Sequence, residues 1–281
     1  MLDIFVKLLV NGFQQNDLII YSKLSQSYYA LLETLTADHI SFIAMLEPNI
    51  FMYILQTISD GLTSLDSSIS TFCSSALDHI VTYLFKMLRS KSSPMSLSAP
   101  TKLMQFYQQQ PTILQQVLNT VINIIVFEDC RNQWSMSRPL LGLILLNEQY
   151  FEQWRNNLID SSVNCLSIIK SQSQMNPSGP IANPKDSIDN CLKNLMNGIE
   201  RNLSLKNRDK FTQNIATFRR DLNECLKTSI TSGNSTNSQS NAQYIDYMQH
   251  QMTQHQQQYQ NNQNQQIQNM LSNNLLAASS A

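Results

Sequence analysis

Apolar side chains recur along this chain every three or four residues, the spacing that gathers them on one stripe of an α-helix. The longest stripe runs through Ile69, Phe72, Cys73, Ala76, Leu77, Ile80, Leu84 and Leu88. A second follows Pro111 through Ile113, Leu114, Val117, Leu118, Val121, Ile122 and Ile125, with the proline at a first-turn position that needs no amide hydrogen. A third takes in Ile188, Cys191, Leu192, Leu195, Met196, Ile199 and Leu203. A fourth takes in Phe211, Ile215, Phe218, Leu222, Cys225 and Leu226, with Asn207 as its N-cap. Shorter helices are expected over residues 2–13, 18–35, 39–46, 48–59 and 140–158. Breaks are expected at Glu47-Pro48, at Gly61, from Ser90 to Pro100 and from Ser171 to Pro184, where proline, glycine and serine gather.

No alternating apolar and polar run bounded by hairpin turn residues occurs, so the pattern predicts an all-α fold without sheet. Asp38-His39-Ile40 is echoed by Asp78-His79-Ile80, a separation inside the range of a HEAT-type helix pair. Helices with one apolar stripe and short turns, too many for a four-helix bundle, fit an α-solenoid of HEAT-like antiparallel pairs over residues 1–228. If the chain is cut from a longer solenoid, helices before Ala37 should expose Leu8, Leu9, Ile19 and Leu31.

Residues 229–281 change character. They hold one acid, Asp246, and no Lys, Arg or Glu, while Gln and Asn supply 22 of the 53 positions. Such a segment buries too little to offset the entropy of ordering it and is expected to be a disordered, dispensable tail. The 19 Lys and Arg and all but one of the 20 Asp and Glu therefore lie in the body, which is neutral as a whole. Without a surplus of positive charge, a general nucleic-acid partner is disfavoured. Five cysteines at 73, 130, 165, 191 and 225, with no Cys-x-x-Cys, fit neither a disulfide framework nor a zinc site. Asp3 stands where a secretory leader carries bases, and no apolar run approaches a membrane span, so an intracellular protein is expected.

Catalytic chemistry finds no constellation to use. His39 and His79 could face each other across helices and hold a metal, but no third ligand is spaced to join them, and surface or hydrogen-bonded histidines fit better. The glycines are isolated, and no nucleophile elbow occurs. No enzyme, cofactor or metal is expected. Between Phe127 and Gly142, Glu128, Asp129, Cys130, Arg131, Trp134, Arg138 and Pro139 crowd between two apolar helices. Two readings fit. In one the segment is a corner, with Trp134 as a buried plug, Pro139 opening the next helix and Cys130 a structural thiol; in the other Trp134, Arg131 and Arg138 anchor a partner. The corner is favoured. From Arg201 to Lys227 seven bases outnumber three acids. That excess fits a solvated helix face, or a docking ridge of Arg208, Lys210, Arg219 and Arg220 for an acidic protein.

Three stretches resemble a known family. They are Leu46-Glu47-Pro48-Asn49-Ile50-Phe51-Met52-Tyr53-Ile54-Leu55, running on to Gly61-Leu62-Thr63 and to Leu77 through Lys86; Phe127 through Glu148; and Gly198 through Leu203 with Lys206 through Asp209 and Phe211 through Asn214. The chain over residues 38–228 is similar to the C-terminal end of the exportin-7 group of nuclear export receptors, in the importin-β superfamily. Residues 171–184 resemble an insertion, and the Gln/Asn tail has no counterpart. The resemblance implies a HEAT-repeat superhelix that binds Ran in its GTP form, protein cargo and nuclear pore proteins, and shuttles between nucleus and cytoplasm. It implies no catalytic residue, and it places the main Ran-binding region in a part of the family this chain does not match. A piece of a longer receptor is therefore expected. The alternative is a HEAT-repeat scaffold or adaptor without Ran-gated transport.

Overall fold

The computed structural model describes residues 21–91, 102–127, 132–172, 184–231, 246–247, 250–254 and 257, and among these every regular element is a helix. In chain order they are α1 (Ser22–Asp38), α2 (Ile40–Ile43), α3 (Pro48–Leu62), α4 (Ser67–Lys91), α5 (Lys102–Gln109), α6 (Pro111–Phe127), α7 (Gln133–Leu146), α8 (Glu148–Gln172), α9 (Pro184–Leu195) and α10 (Leu205–Thr231). The all-α solenoid reading holds at the level of elements. Pro48, Pro111 and Pro184 each stand at a helix start, where the missing amide hydrogen costs nothing.

Two compact units divide the chain: residues 1–148 with 198–213, and residues 149–197 with 214–281. In the first unit α4 packs against α1, α3 and α7, and α6 packs against α7. Helix pairs α3/α4 and α6/α7 are thus joined side by side through α4 and α7, the arrangement that stacks neighbouring repeats in a solenoid. Packing against helices on several sides explains why α4 buries more than its predicted stripe. Val81 and Phe85 are buried beside Ile69, Cys73, Ala76, Leu77, Ile80 and Leu84, whereas Phe72 and Leu88 are only half-buried. Asp66 caps the helix, accepting a 2.8 Å hydrogen bond from the Ser68 amide and a 2.7 Å bond from Gln26 of α1. Serine and threonine inside the helix bond back to carbonyls one turn earlier, as Ser74 does to Ser70 at 2.7 Å.

Gly61 stands one residue before the end of α3 at Leu62, next to the expected break, and it is buried where a Cβ would collide with Cys73 Sγ and sit 2.8 Å from the Tyr29 ring. Several boundaries depart from the sequence reading. Pro139 does not open α7 but lies inside it, two turns from the start at Gln133. The expected helix over 140–158 is interrupted at Asn147, whose backbone and side-chain nitrogens both donate to the Leu143 carbonyl and close α7. The third stripe stops at Leu195, because Gly198 at φ 70° takes the left-handed conformation that ends a helix. Helix α5, which the stripes did not single out, buries Leu103, Met104 and Phe106.

The Asp-His-Ile echo does not mark a repeat either. Asp38 ends α1 and His39 caps it, whereas Asp78 and His79 lie in the middle of α4. Asn207 is not the N-cap of α10: Ser204 precedes the helix and accepts from the Asn207 amide at 3.4 Å. Buried Asn207 instead holds the preceding loop, accepting from the Glu200 amide at 2.9 Å and donating to the Glu200 and Asn202 carbonyls at 2.7 and 2.6 Å.

In the second unit α8, α9 and the later turns of α10 share a core of Phe151, Trp154, Leu158, Ile188, Leu192, Ile215, Phe218 and Leu222. The Phe151 and Trp154 rings stack at 6.0 Å. Arg155 of α8 reaches Asp189 of α9 at 2.5 Å, and Lys193 reaches the same carboxylate at 2.7 Å. The residues described in the expected tail are helical, and Met252 among them is 2% exposed. Leu8, Leu9 and Ile19 lie outside the described residues, and Leu31 is half-buried.

Candidate functional site

Of the polar side chains that the sequence singled out, Arg208 and Arg138 meet partners at the first turns of α10 in the first unit. Arg208 is 7% exposed. Its Nη1 donates to both carboxylate oxygens of Asp78 at 2.6 and 2.5 Å, its Nη2 to Thr82 at 2.6 Å, and its Nε to the Leu203 carbonyl at 3.2 Å. A guanidinium with all three nitrogens engaged inside the fold cannot be offered to a partner. Arg208 therefore leaves the expected docking ridge; its role is to fasten α10 to α4.

The other ridge residues separate as well. At about 100° per residue, Arg208 and Arg219 share one side of the helix while Lys210 and Arg220 point elsewhere, so the four do not form a single row. Arg219 is half-buried. Lys210 in the first unit is exposed, and Arg220 in the second is exposed beside Asp221 at 3.1 Å. They remain as separate surface charges.

Trp134 overturns the buried-plug reading. It is 59% exposed on the first turn of α7, because the helix begins before it and turns the indole outward. Arg138, one turn on, lays its guanidinium over the ring at 4.2 Å and reaches Asp209 of α10 at 3.5 Å. Between the same helices Ser137 meets Thr212 at 2.7 Å, and Thr212 in turn donates to the Arg208 carbonyl at 3.0 Å. The seam thus presents one exposed indole, one face of which is covered by the Arg138 guanidinium. Glu128, Asp129, Cys130 and Arg131 lie outside the described residues. Asn132 anchors the start of α7, donating to the Ser67 carbonyl at 2.8 Å and to Ser70 at 2.6 Å.

Sequence reasoning missed Asp78, Thr82 and Asp209 as members of this seam. Asp78 and Thr82 are four apart and share a helix face, which was readable, but their partner lies 130 residues away.

His79 Nδ1 stands 3.4 Å from Thr36 Oγ1, and His39 is exposed at the end of α1. Among the described residues no group of three or more His, Cys, Asp or Glu could hold a metal ion, and no helix is long and apolar enough to cross a membrane. Burial raises the Tyr28, Tyr29 and Cys73 ionisations well above their ordinary values, as expected of core groups that stay neutral.

No family model and no solved structure matches the chain. Curated proteins do. Exportin-7-B of Xenopus laevis is 51% identical over 242 residues, 85% of this chain and 20% of that protein. Ran-binding protein 17 of Homo sapiens is 50% identical over 232 residues, and Ran-binding protein 16 of Drosophila melanogaster 41% over 228. Neither kind of name is that of an enzyme. The chain spans about a fifth of the length of these relatives. Over 79 to 85% of its own length, the chain is exportin-7-like.

Proposed function

We propose that the chain serves as part of a nuclear export receptor, binding Ran in its GTP form together with protein cargo, contacting nuclear pore proteins and shuttling between nucleus and cytoplasm. The observation that carries this reading is the 50 to 51% identity to proteins named exportin and Ran-binding protein. Its work is binding, done by surface side chains on a stack of helices. Trp134, exposed and stiffened by Arg138, is the anchor, since a few aromatic and arginine side chains carry most of the energy of such contacts. Lys210 supplies a charge that steers an acidic partner toward the same unit.

Binding of the chain to Ran loaded with a non-hydrolysable GTP analogue, compared with Ran loaded with GDP, tests the reading. The GTP form should bind at least about tenfold more tightly, and Trp134→Ala should weaken that binding by a similar factor. Because the chain spans only a fifth of its relatives, a scaffold that holds a partner without nucleotide-gated release is the second reading. It is the one supported if Ran in both nucleotide states is ignored while a protein partner is still held through Trp134.

A further inference from the structure

In the second unit, Cys191 of α9 and Cys225 of α10 face each other with their sulfurs 3.7 Å apart. The two positions are 34 residues apart in sequence, so the fold alone brings them together. Cys191 is 6% exposed, whereas Cys225 is only half-buried. A disulfide needs an S–S separation of about 2.05 Å, so the sulfurs have less than about 2 Å to close.

We propose that Cys191 and Cys225 form an oxidation site, at which a hydroperoxide converts the thiol pair into a disulfide that joins α9 to α10.

Exposure sets the order of events. The thiolate of half-buried Cys225 attacks the outer oxygen of hydrogen peroxide; the O–O bond breaks, hydroxide leaves and takes up a proton, and Cys225 becomes a sulfenic acid. The Cys191 sulfur then attacks Cys225 Sγ. The S–S bond forms as the S–O bond breaks, and the Cys191 proton leaves with the hydroxide as a second water. Two thiols have lost two electrons and the peroxide has gained them. A dithiol reductant reverses the change by exchange. Burial, the neighbouring Cys225 thiol and the Asp221 carboxylate push the Cys191 thiol up to about 12. At neutral pH it is therefore a poor first target, and it acts as the resolving partner once Cys225 is activated. The first unit's Cys73 differs: at 1% exposure in the Gly61 contact it is shielded from reagent.

The test is oxidation of the full chain under native conditions with hydrogen peroxide, followed by denaturation, blocking of remaining thiols and intact-mass and peptide mass spectrometry. The expected result is a loss of two hydrogens, two fewer blocked thiols, and one crosslinked peptide pair containing Cys191 and Cys225, all reversed by a dithiol. The melting temperature should rise on oxidation and fall back on reduction. Cys225→Ser should abolish the mass loss, and because that side chain is half-buried the variant is the one that keeps its fold; Cys73→Ser should leave it intact. A crosslink that maps to another cysteine pair, or sulfinic acid at Cys225 with Cys191 still blockable, would overturn the proposal.

Discussion

Removing the Asp78 carboxylate would leave the Arg208 guanidinium buried with two of its hydrogen bonds unmade. Asp78→Ala should accordingly cost about 3–5 kcal/mol in denaturant unfolding, the range for breaking a buried pair from one side. Replacing Arg208 and Asp78 together by apolar residues of similar volume should cost much less, since the burial of charge goes with the pair. Trp134→Ala should shift stability by less than about 1 kcal/mol, because the ring is exposed and gives up only its contact with Arg138. A thermal melt of that variant beside its binding curve separates anchor from plug. Residue identity was legible in the sequence; residue exposure was not. Arg208 and Lys210 are two positions apart and both basic, yet one is sealed against Asp78 and the other is free in solvent. Only the distant partner distinguishes them.

Helix α9 is held to α8 by the Arg155 bond to Asp189, and the bonds from Lys193 and Arg155 keep the Asp189 carboxyl below the usual carboxylate range. Asp66, capping α4, is lowered likewise by Gln26 and the Ser68 amide. A depressed carboxylate contributes stability that is complete above its unfolded value of 3.8 and is lost as pH falls through the lower folded value. Unfolding measured from pH 6 downward should therefore show stability falling below about pH 4, less steeply in Asp189→Asn. At neutral pH that variant should cost no more than about 1 kcal/mol, as partly exposed pairs do. At this scale the three-four stripes were sound guides, since α4, α6 and α10 lie where they predicted. Boundaries were harder. Pro139 sits mid-helix with its ring buried, so that packing outweighs the lost amide bond. Gly61 stands beside the end of α3, as expected, and is also the hydrogen-sized position against which Tyr29 and Cys73 close. Gly61→Ala should lower the melting temperature more than Gly198→Ala, which meets nothing closer than Lys210 Cε at 3.8 Å but must strain its backbone.

For the whole molecule, circular dichroism should report helix and no appreciable strand. Among the few described residues after position 231, Met252 is almost fully enclosed. A short Gln-rich helix does not persist in water by itself. Met252→Ala should therefore destabilise the second unit by roughly 2 kcal/mol, the low end for truncating a buried methionine, followed through buried Trp154 in denaturant. One methionine amid glutamines gives no periodic signal, which is why composition hid it. The first unit is also discontinuous, closed by residues 198–213 after the intervening helices of the second. On a ribosome this imposes a schedule. Asp78 emerges 130 residues before Arg208, so at roughly 5–20 residues per second it waits on the order of ten seconds for the cation that neutralises it. Throughout that interval the nascent α4 carries an unmatched carboxylate in what will become the interior, and its docking surface is open to chaperones until the last turns of the seam are made.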